Sequence, residues 1–241
     1  RVAQIKMFAD GALGPRTASM LQGFASAPDN TGIATTPIET LRQAVIRANA
    51  AGFGCAIHAI GDRACREILD IYELARAQYP GCRNRVEHLQ ILDPQDWPRP
   101  AALGVVASMQ PIHATSDMHI SDRHLGKRAA HAYVFRSLLD SGAVLAFGSD
   151  CPVEPIDPLL GIHAAVTRRR ADGSPGPGGW HPEQRLSVEE AIRAYTWGAA
   201  YAAGMEKQLG SLAPGKLADM TLLEQDIFRI DPMEIPAAGI M

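Results

Sequence analysis

Cys55-Ala56-Ile57-His58 is a short apolar run that ends in a histidine. Arg85-Val86-Glu87-His88 and Ala146-Phe147-Gly148-Ser149-Asp150 also end in side chains able to ligate a metal, and Val2-Ala3-Gln4-Ile5-Lys6 has the same form with a lysine last. Four strand-like runs, each delivering one such group at its C-terminal end, match the way a (β/α) barrel gathers a site above its strands. One histidine after a strand is commonly a half-buried structural residue. Two histidines, an aspartate and a lysine in equivalent places point to a hydrolytic metal centre.

Between these runs the sequence reads as helix. Thr36-Pro37-Ile38-Glu39 has the form of a capping box with proline at the first helical position, and the stripe Leu41, Ala44, Val45, Ala48 runs on to a stop at Gly52. Further helices are expected at about 63–79, with Ile68, Leu69, Tyr72 and Ala75 inward, at 131–141, and from Asp157-Pro158 to Arg168-Arg169-Arg170. Ser187-Val188-Glu189-Glu190 is a second capping box, opening a helix to about Ala203. Asp93-Pro94 begins a helix that Pro98 and Pro100 break, because an internal proline costs about 3 kcal/mol. With strands expected at 2–8, 54–59, 85–91, 104–109 and 143–148, strand and helix alternate throughout, the pattern of parallel βα units.

A complete barrel needs roughly 250 residues at ~30 per unit. Five strands occupy most of this chain, so three further units would lie upstream of Arg1. The segment Asp172-Gly173-Ser174-Pro175-Gly176-Pro177-Gly178-Gly179 cannot form a regular element and reads as a loop on the active face, where loops carry specificity. Phe24, Met118, His119 and Trp180 are the loop residues that would meet an apolar or aromatic group, unless they simply pack.

Composition narrows the class. With 46% hydrophobic and 20% charged residues among 241, the chain is that of an ordinary globular protein. A net charge of −3 speaks against a nucleic-acid surface, and the basic run Arg168–Arg170 reads as the solvated end of a helix. No apolar run reaches the ~18–20 residues of a membrane span, and the opening residues lack the pattern of a signal peptide. Cys55, Cys65, Cys82 and Cys151 stand far apart without a C-x-x-C pair, which favours reduced thiols in a cytoplasmic protein over a disulfide scaffold or zinc ribbon.

The candidate ligands carry their own chemistry. Imidazole and carboxylate donors suit zinc and related divalent ions. Asp150 is placed to take a proton from a metal-activated water and return it to a leaving group. Lys6 cannot ligate as an ammonium, which has no lone pair, and would have to be neutral or carboxylated; the other reading is a structural lysine paired with Asp10.

The chain resembles the amidohydrolase superfamily, in the branch that contains N-substituted formamide deformylase (amidohydrolase family three). The matching stretches are Lys6–Gly11 with Gly14, Arg16, Thr17 and Ala18, then His58–Ala64, Arg85–His88, Ser108–His113, Gly148–Val153 and Gly210–Asp219, so nearly the whole chain is covered. The resemblance implies a partial (β/α)8 barrel, strands four to eight, over 1–208, with a return into a small β-sandwich over 209–241. It implies His58, His88 and Asp150 as metal ligands on strands five, six and eight. Lys6 falls at the strand-four position, often a carboxylated lysine, and His113 becomes a substrate contact that polarises a carbonyl.

One departure is plain. Superfamily members open their metal site with an H-x-H pair, and this chain has none. The pair is expected upstream of Arg1, which makes this the C-terminal portion of a roughly twofold longer enzyme. Alone, it would present an open strand edge able to pair with a second copy, a possible homodimer. The expected activity is hydrolysis of a carbon–nitrogen bond in a small-molecule amide, formamide or cyclic amide, with one or two divalent ions. Two other readings fit the same residues: a regulatory or ligand-binding protein on this scaffold, and a lactone or phosphoester hydrolase using the same donors.

Overall fold

A computed structural model describes residues 4–241, so the first two positions of the strand expected at 2–8 lie outside the described residues. In chain order the elements are β1 (Gln4–Phe8), α1 (Ile38–Ala50), β2 (Gly54–Ala59), α2 (Asp62–Gln78), β3 (Arg85–His88), α3 (Arg99–Leu103), β4 (Val106–Met109), α4 (Pro111–Ser116), α5 (Met118–Leu125), α6 (Phe135–Asp140), β5 (Leu145–Phe147), α7 (Pro158–Thr167), α8 (Val188–Arg193) and α9 (Ala199–Ala202). They form two compact units, one made of the chain up to Met109 with His119–Val144, the other of Gln110–Met118 with Leu145–Met241.

The first unit is a parallel sheet backed by helices. β1 pairs with β2, β2 with β3 and β3 with β4, all parallel, and the chain continues past β4 to a hydrogen bond from Ala107 N–H to the Val144 carbonyl. The register sets Phe8 beside His58, His58 beside Glu87 and Glu87 beside Ser108, so these side chains share one face. β2 is buried on both faces, as its near-continuous apolar sequence requires in a parallel sheet. Behind it α2 buries Ile68, Leu69, Tyr72 and Ala75, each large aliphatic among them contributing about 1.5–3 kcal/mol. The Tyr72 hydroxyl is shared between two strands, lying 3.2 Å from the Cys55 carbonyl and 2.9 Å from that of Arg85. At the opposite end from the histidines, Asn49 and Asn84 exchange side-chain hydrogen bonds of 3.1 and 3.0 Å, which satisfies two buried amides at once.

The second unit holds β5, α4 and the helices from α7 onward. Asp157 caps α7 by accepting from Leu159 N–H at 2.9 Å, and the capping box before α8 is complete in both directions, Glu190 N–H to Ser187 Oγ at 3.1 Å and Ser187 N–H to Glu190 Oε2 at 2.7 Å. The helix expected to run from Ser187 to Ala203 is interrupted by a π turn at Ala194–Gly198. There Gly198 lies against the backbone of β5, where a Cβ would stand 2.0 Å from the Leu145 carbonyl oxygen.

Other differences from the sequence reading have local causes. The first capping box does not form: no side chain caps α1, and Glu39 instead accepts from Arg42 Nε at 2.8 Å and Gln43 Nε2 at 3.0 Å. The strand expected at 85–91 stops at His88, because His88 and Leu89 turn to φ 71° and 44°. The helix expected at 131–141 is only α6, since Tyr133 at φ 54° separates it from a 3-10 stretch at Gly126–His131. Met118 and His119, read as loop residues, lie in α5, which follows α4. Phe24, Met118 and Trp180 are buried packing residues. Among the described residues no helix is long and apolar enough to cross a membrane.

Candidate metal centre

In the first unit the site grows from the end of β2. His58 Nε2 lies 2.8 Å from the Gly11 carbonyl oxygen. A carbonyl only accepts, so Nε2 carries the proton and Nδ1 keeps the lone pair a cation would need. Asp10 stands behind the same nitrogen, its Oδ1 3.6 Å away. The Asp10 carboxylate is itself fixed by three backbone donors: Ser19 N–H at 2.8 Å, Gly61 N–H at 2.8 Å and Ile60 N–H at 3.0 Å. Burial pushes the Asp10 carboxyl up from its ordinary value, against the pull of those three donors and of His58. One carboxylate thus ties the loop after β1 to the turn after β2 and orients the histidine between them. Asp62, one turn on, braces the same loop by accepting from Leu21 N–H at 2.7 Å.

His88 reaches the site by leaving the strand. The register pairs it with Ala59, whose side chain is on the face opposite His58. At φ 71° the backbone departs from the extended conformation, and the two imidazoles meet edge to face with centroids 4.6 Å apart. A left-handed conformation at a non-glycine residue is uncommon and is characteristic of functional positions. Beneath them Glu87, buried, pairs with Arg85 and accepts from Ser108 Oγ at 2.7 Å. That network holds the inner face of β3 and β4 in register.

The second unit holds Asp150, His113 and Glu154. Asp150 follows β5 with φ 58°, a second candidate ligand in the left-handed region, and its side chain is 41% exposed. His113 lies in α4, after Gln110-Pro111-Ile112. Its Nε2 is 3.5 Å from Asp150 Oδ2 and its Nδ1 3.3 Å from Glu154 Oε1, so the ring lies between two carboxylates. Glu154 was not singled out from the sequence. Only its position four residues after Asp150 could have suggested it.

Lys6 sits in the middle of β1, level with Ala56, and its Nζ lies 4.9 Å from the centre of the Phe8 ring. The alternative partner proposed for it, Asp10, has its carboxylate engaged by the backbone donors named above. The Phe8 ring in turn stands 5.3 Å from that of His58.

A model of the amidohydrolase family matches residues 1–240. The chain belongs to that family. It is 37% identical over 235 residues to YtcJ of Bacillus subtilis, an amidohydrolase by name, covering 96% of this chain and 44% of that protein. It is 31% identical over 184 residues to N-substituted formamide deformylase of Arthrobacter pascens, covering 75% of this chain and 33% of the deformylase. Among solved structures, a metal-dependent hydrolase from Pyrococcus horikoshii superposes with a TM-score of 0.85 at 31% identity, covering 96% of this chain and 46% of its own. The chain therefore spans less than half the length of these relatives, and its βα units are those of a partial amidohydrolase barrel.

Proposed function

We propose that the chain forms part of a metal-dependent hydrolase that cleaves carbon–nitrogen bonds other than peptide bonds in small molecules: amides, formamides or cyclic amides. The observation that supports this reading most is the tautomer of His58. Its Nε2 proton is directed at the Gly11 carbonyl, which leaves Nδ1 with a lone pair for a ligand role, and its ring lies beside that of His88. The formamide deformylase among the relatives favours the carbon–nitrogen class.

In this reading His58, His88 and Asp150 hold a divalent cation, zinc being well suited to two neutral imidazoles and a carboxylate. Lys6 would join them as a carboxylated side chain if the centre holds two ions. The donor types suit such a group: the His58 ring is held through Nε2 by the Gly11 carbonyl, and the Asp150 carboxylate is 41% exposed. When bound, the cation supplies acidification of water toward neutral pH and polarisation of the scissile carbonyl.

The remaining work falls to the chain's own groups. Asp150 accepts the proton of the attacking water on a carboxylate oxygen and delivers it to the departing nitrogen. His113 donates from Nε2 to the carbonyl oxygen as charge develops there, an interaction worth roughly 3–4 kcal/mol for one well-placed donor. Glu154, at Nδ1, keeps that ring turned the right way. Asp10 does the same for His58.

The same reading keeps 1–208 as the barrel portion and 209–241 as the return into a small sandwich, where Leu223 and Ile240 form an antiparallel bridge. It places the protein in the cytoplasm on its four free cysteines. A panel of N-substituted formamides, cyclic amides, lactones and phosphotriesters tests the substrate class. Turnover restricted to lactones or phosphotriesters would overturn it.

A further inference from the structure

Arg168-Arg169-Arg170 reads in sequence as a solvated helix end, yet every guanidinium in the run is committed to a backbone carbonyl. Arg168 is fully buried, donating from Nε to the Trp180 carbonyl at 2.9 Å with its guanidinium 4.9 Å from the Trp180 ring centre. Arg169 Nε donates to the Gly173 carbonyl at 3.1 Å, and Arg185 Nη2 donates to that of Gly178 at 2.7 Å. These three tie down the glycine- and proline-rich segment between Asp172 and Trp180.

Arg170 is different. Its Nε donates to the Thr115 carbonyl at 2.9 Å and its Nη2 to the Ser116 carbonyl at 3.0 Å. These are the last two residues of α4, the helix that carries His113. The final carbonyls of a helix have no partner within it, and a cation there also opposes the helix dipole. α4 has six residues, too few to hold its conformation by its own hydrogen bonds. The backbone of Arg170 closes the start of the glycine-rich loop as well, with its N–H donating to the Ser174 carbonyl and its carbonyl accepting from Gly173 N–H, both at 2.9 Å. One residue therefore anchors the loop through its main chain and the His113 helix through its side chain.

We infer that Arg170 is a positioning residue for His113: it clamps the C-terminus of α4 and couples that helix to the glycine- and proline-rich loop. The inference rests on His113 acting on the substrate carbonyl, as proposed above. A misplacement of His113 by a fraction of an ångström to 1 Å is expected to lower kcat by roughly ten- to a hundredfold.

The test uses the full natural chain, with Arg170→Ala, Arg170→Lys, His113→Ala and the double variant Arg170→Ala/His113→Ala. The expected result is that Arg170→Ala lowers kcat with KM and bound metal little changed, Arg170→Lys recovers part of the loss, and the double variant is no slower than His113→Ala alone. Amide hydrogen exchange at residues 113–117 should quicken in Arg170→Ala while that of α7 is unchanged. Unchanged exchange in α4, undiminished kcat, or a further loss in the His113→Ala background would each overturn the inference. No turnover in the parent protein would instead overturn the functional reading, and with it the catalytic part of this one; the exchange rates of α4 report on the clamp without any turnover.

Discussion

The rings of His58 and His88 stand edge to face with centroids 4.6 Å apart, although the strand register assigns them to opposite faces of the sheet. The left-handed turn at His88 makes the meeting possible. In the proposed reading this departure brings two donors toward one cation. Substituting either His58→Ala or His88→Ala should leave the far-ultraviolet circular dichroism spectrum intact and lower bound metal at least tenfold, read by elemental analysis after dialysis. A difference of that size corresponds to about 1.4 kcal/mol in metal affinity, well within what one lost ligand costs.

Asp10 is the residue on which the His58 arrangement turns. Asp10→Asn replaces a carboxylate that accepts from three backbone N–H groups with an amide whose nitrogen cannot accept at all. At least one buried donor loses its partner, at about 1–3 kcal/mol. The expected outcome is a lower denaturation midpoint together with weaker metal binding. A variant with unaltered midpoint and metal content would mean that Asp10 neither braces the loop nor orients His58.

Asp150 serves two roles in the proposed reaction, ligand and proton carrier, and the amide analogue separates them from folding. Asp150→Asn should keep the fold and lose most of the turnover, because Asn can neither take up nor return a proton. Near-normal kcat in this variant would refute the proton-shuttle role.

His163 gives a prediction away from the site. It is buried in α7, with Nε2 3.4 Å from Met233 Sδ and 3.4 Å from Thr167 Oγ1, and burial holds its pKa below the ordinary value of 6.5, assisted by the nearby Arg169 charge. The unfolded chain therefore binds this proton more readily than the folded one. The stability tied to the neutral ring is full above pH 6.5 and declines as the pH falls from there toward the lowered folded-state value. Unfolding midpoints measured across this interval should drop toward acid in the parent protein and drop less in His163→Gln. Equal slopes in both would show that His163 does not titrate with unfolding.

Much of this architecture was legible in the residues, and the exceptions share a cause. The strand of β2, the stripe of α2 and the caps at Asp157 and Ser187 are set by neighbours in sequence, through alternation, 3.6-residue spacing and a side-chain oxygen near a free N–H. What could not be read depends on distant partners. The turn at His88, the fixing of Asp10 by Ser19, Ile60 and Gly61, and the short helix α4 held by Arg170 each need residues that only folding brings together. The first capping box failed for a local reason: α1 opens one residue later than expected, with Pro37 rather than Thr36 at its N-cap, and Glu39 turns to Arg42 and Gln43.

The central claim is that His58, His88 and Asp150 bind one divalent ion, and metal stoichiometry in the full natural chain tests it most directly. Elemental analysis of purified, dialysed protein should find one or two equivalents of a divalent metal, zinc foremost, with at least one equivalent lost in each of His58→Ala, His88→Ala and Asp150→Ala. A parent protein without bound divalent metal, or three variants that keep the full complement, would contradict the account.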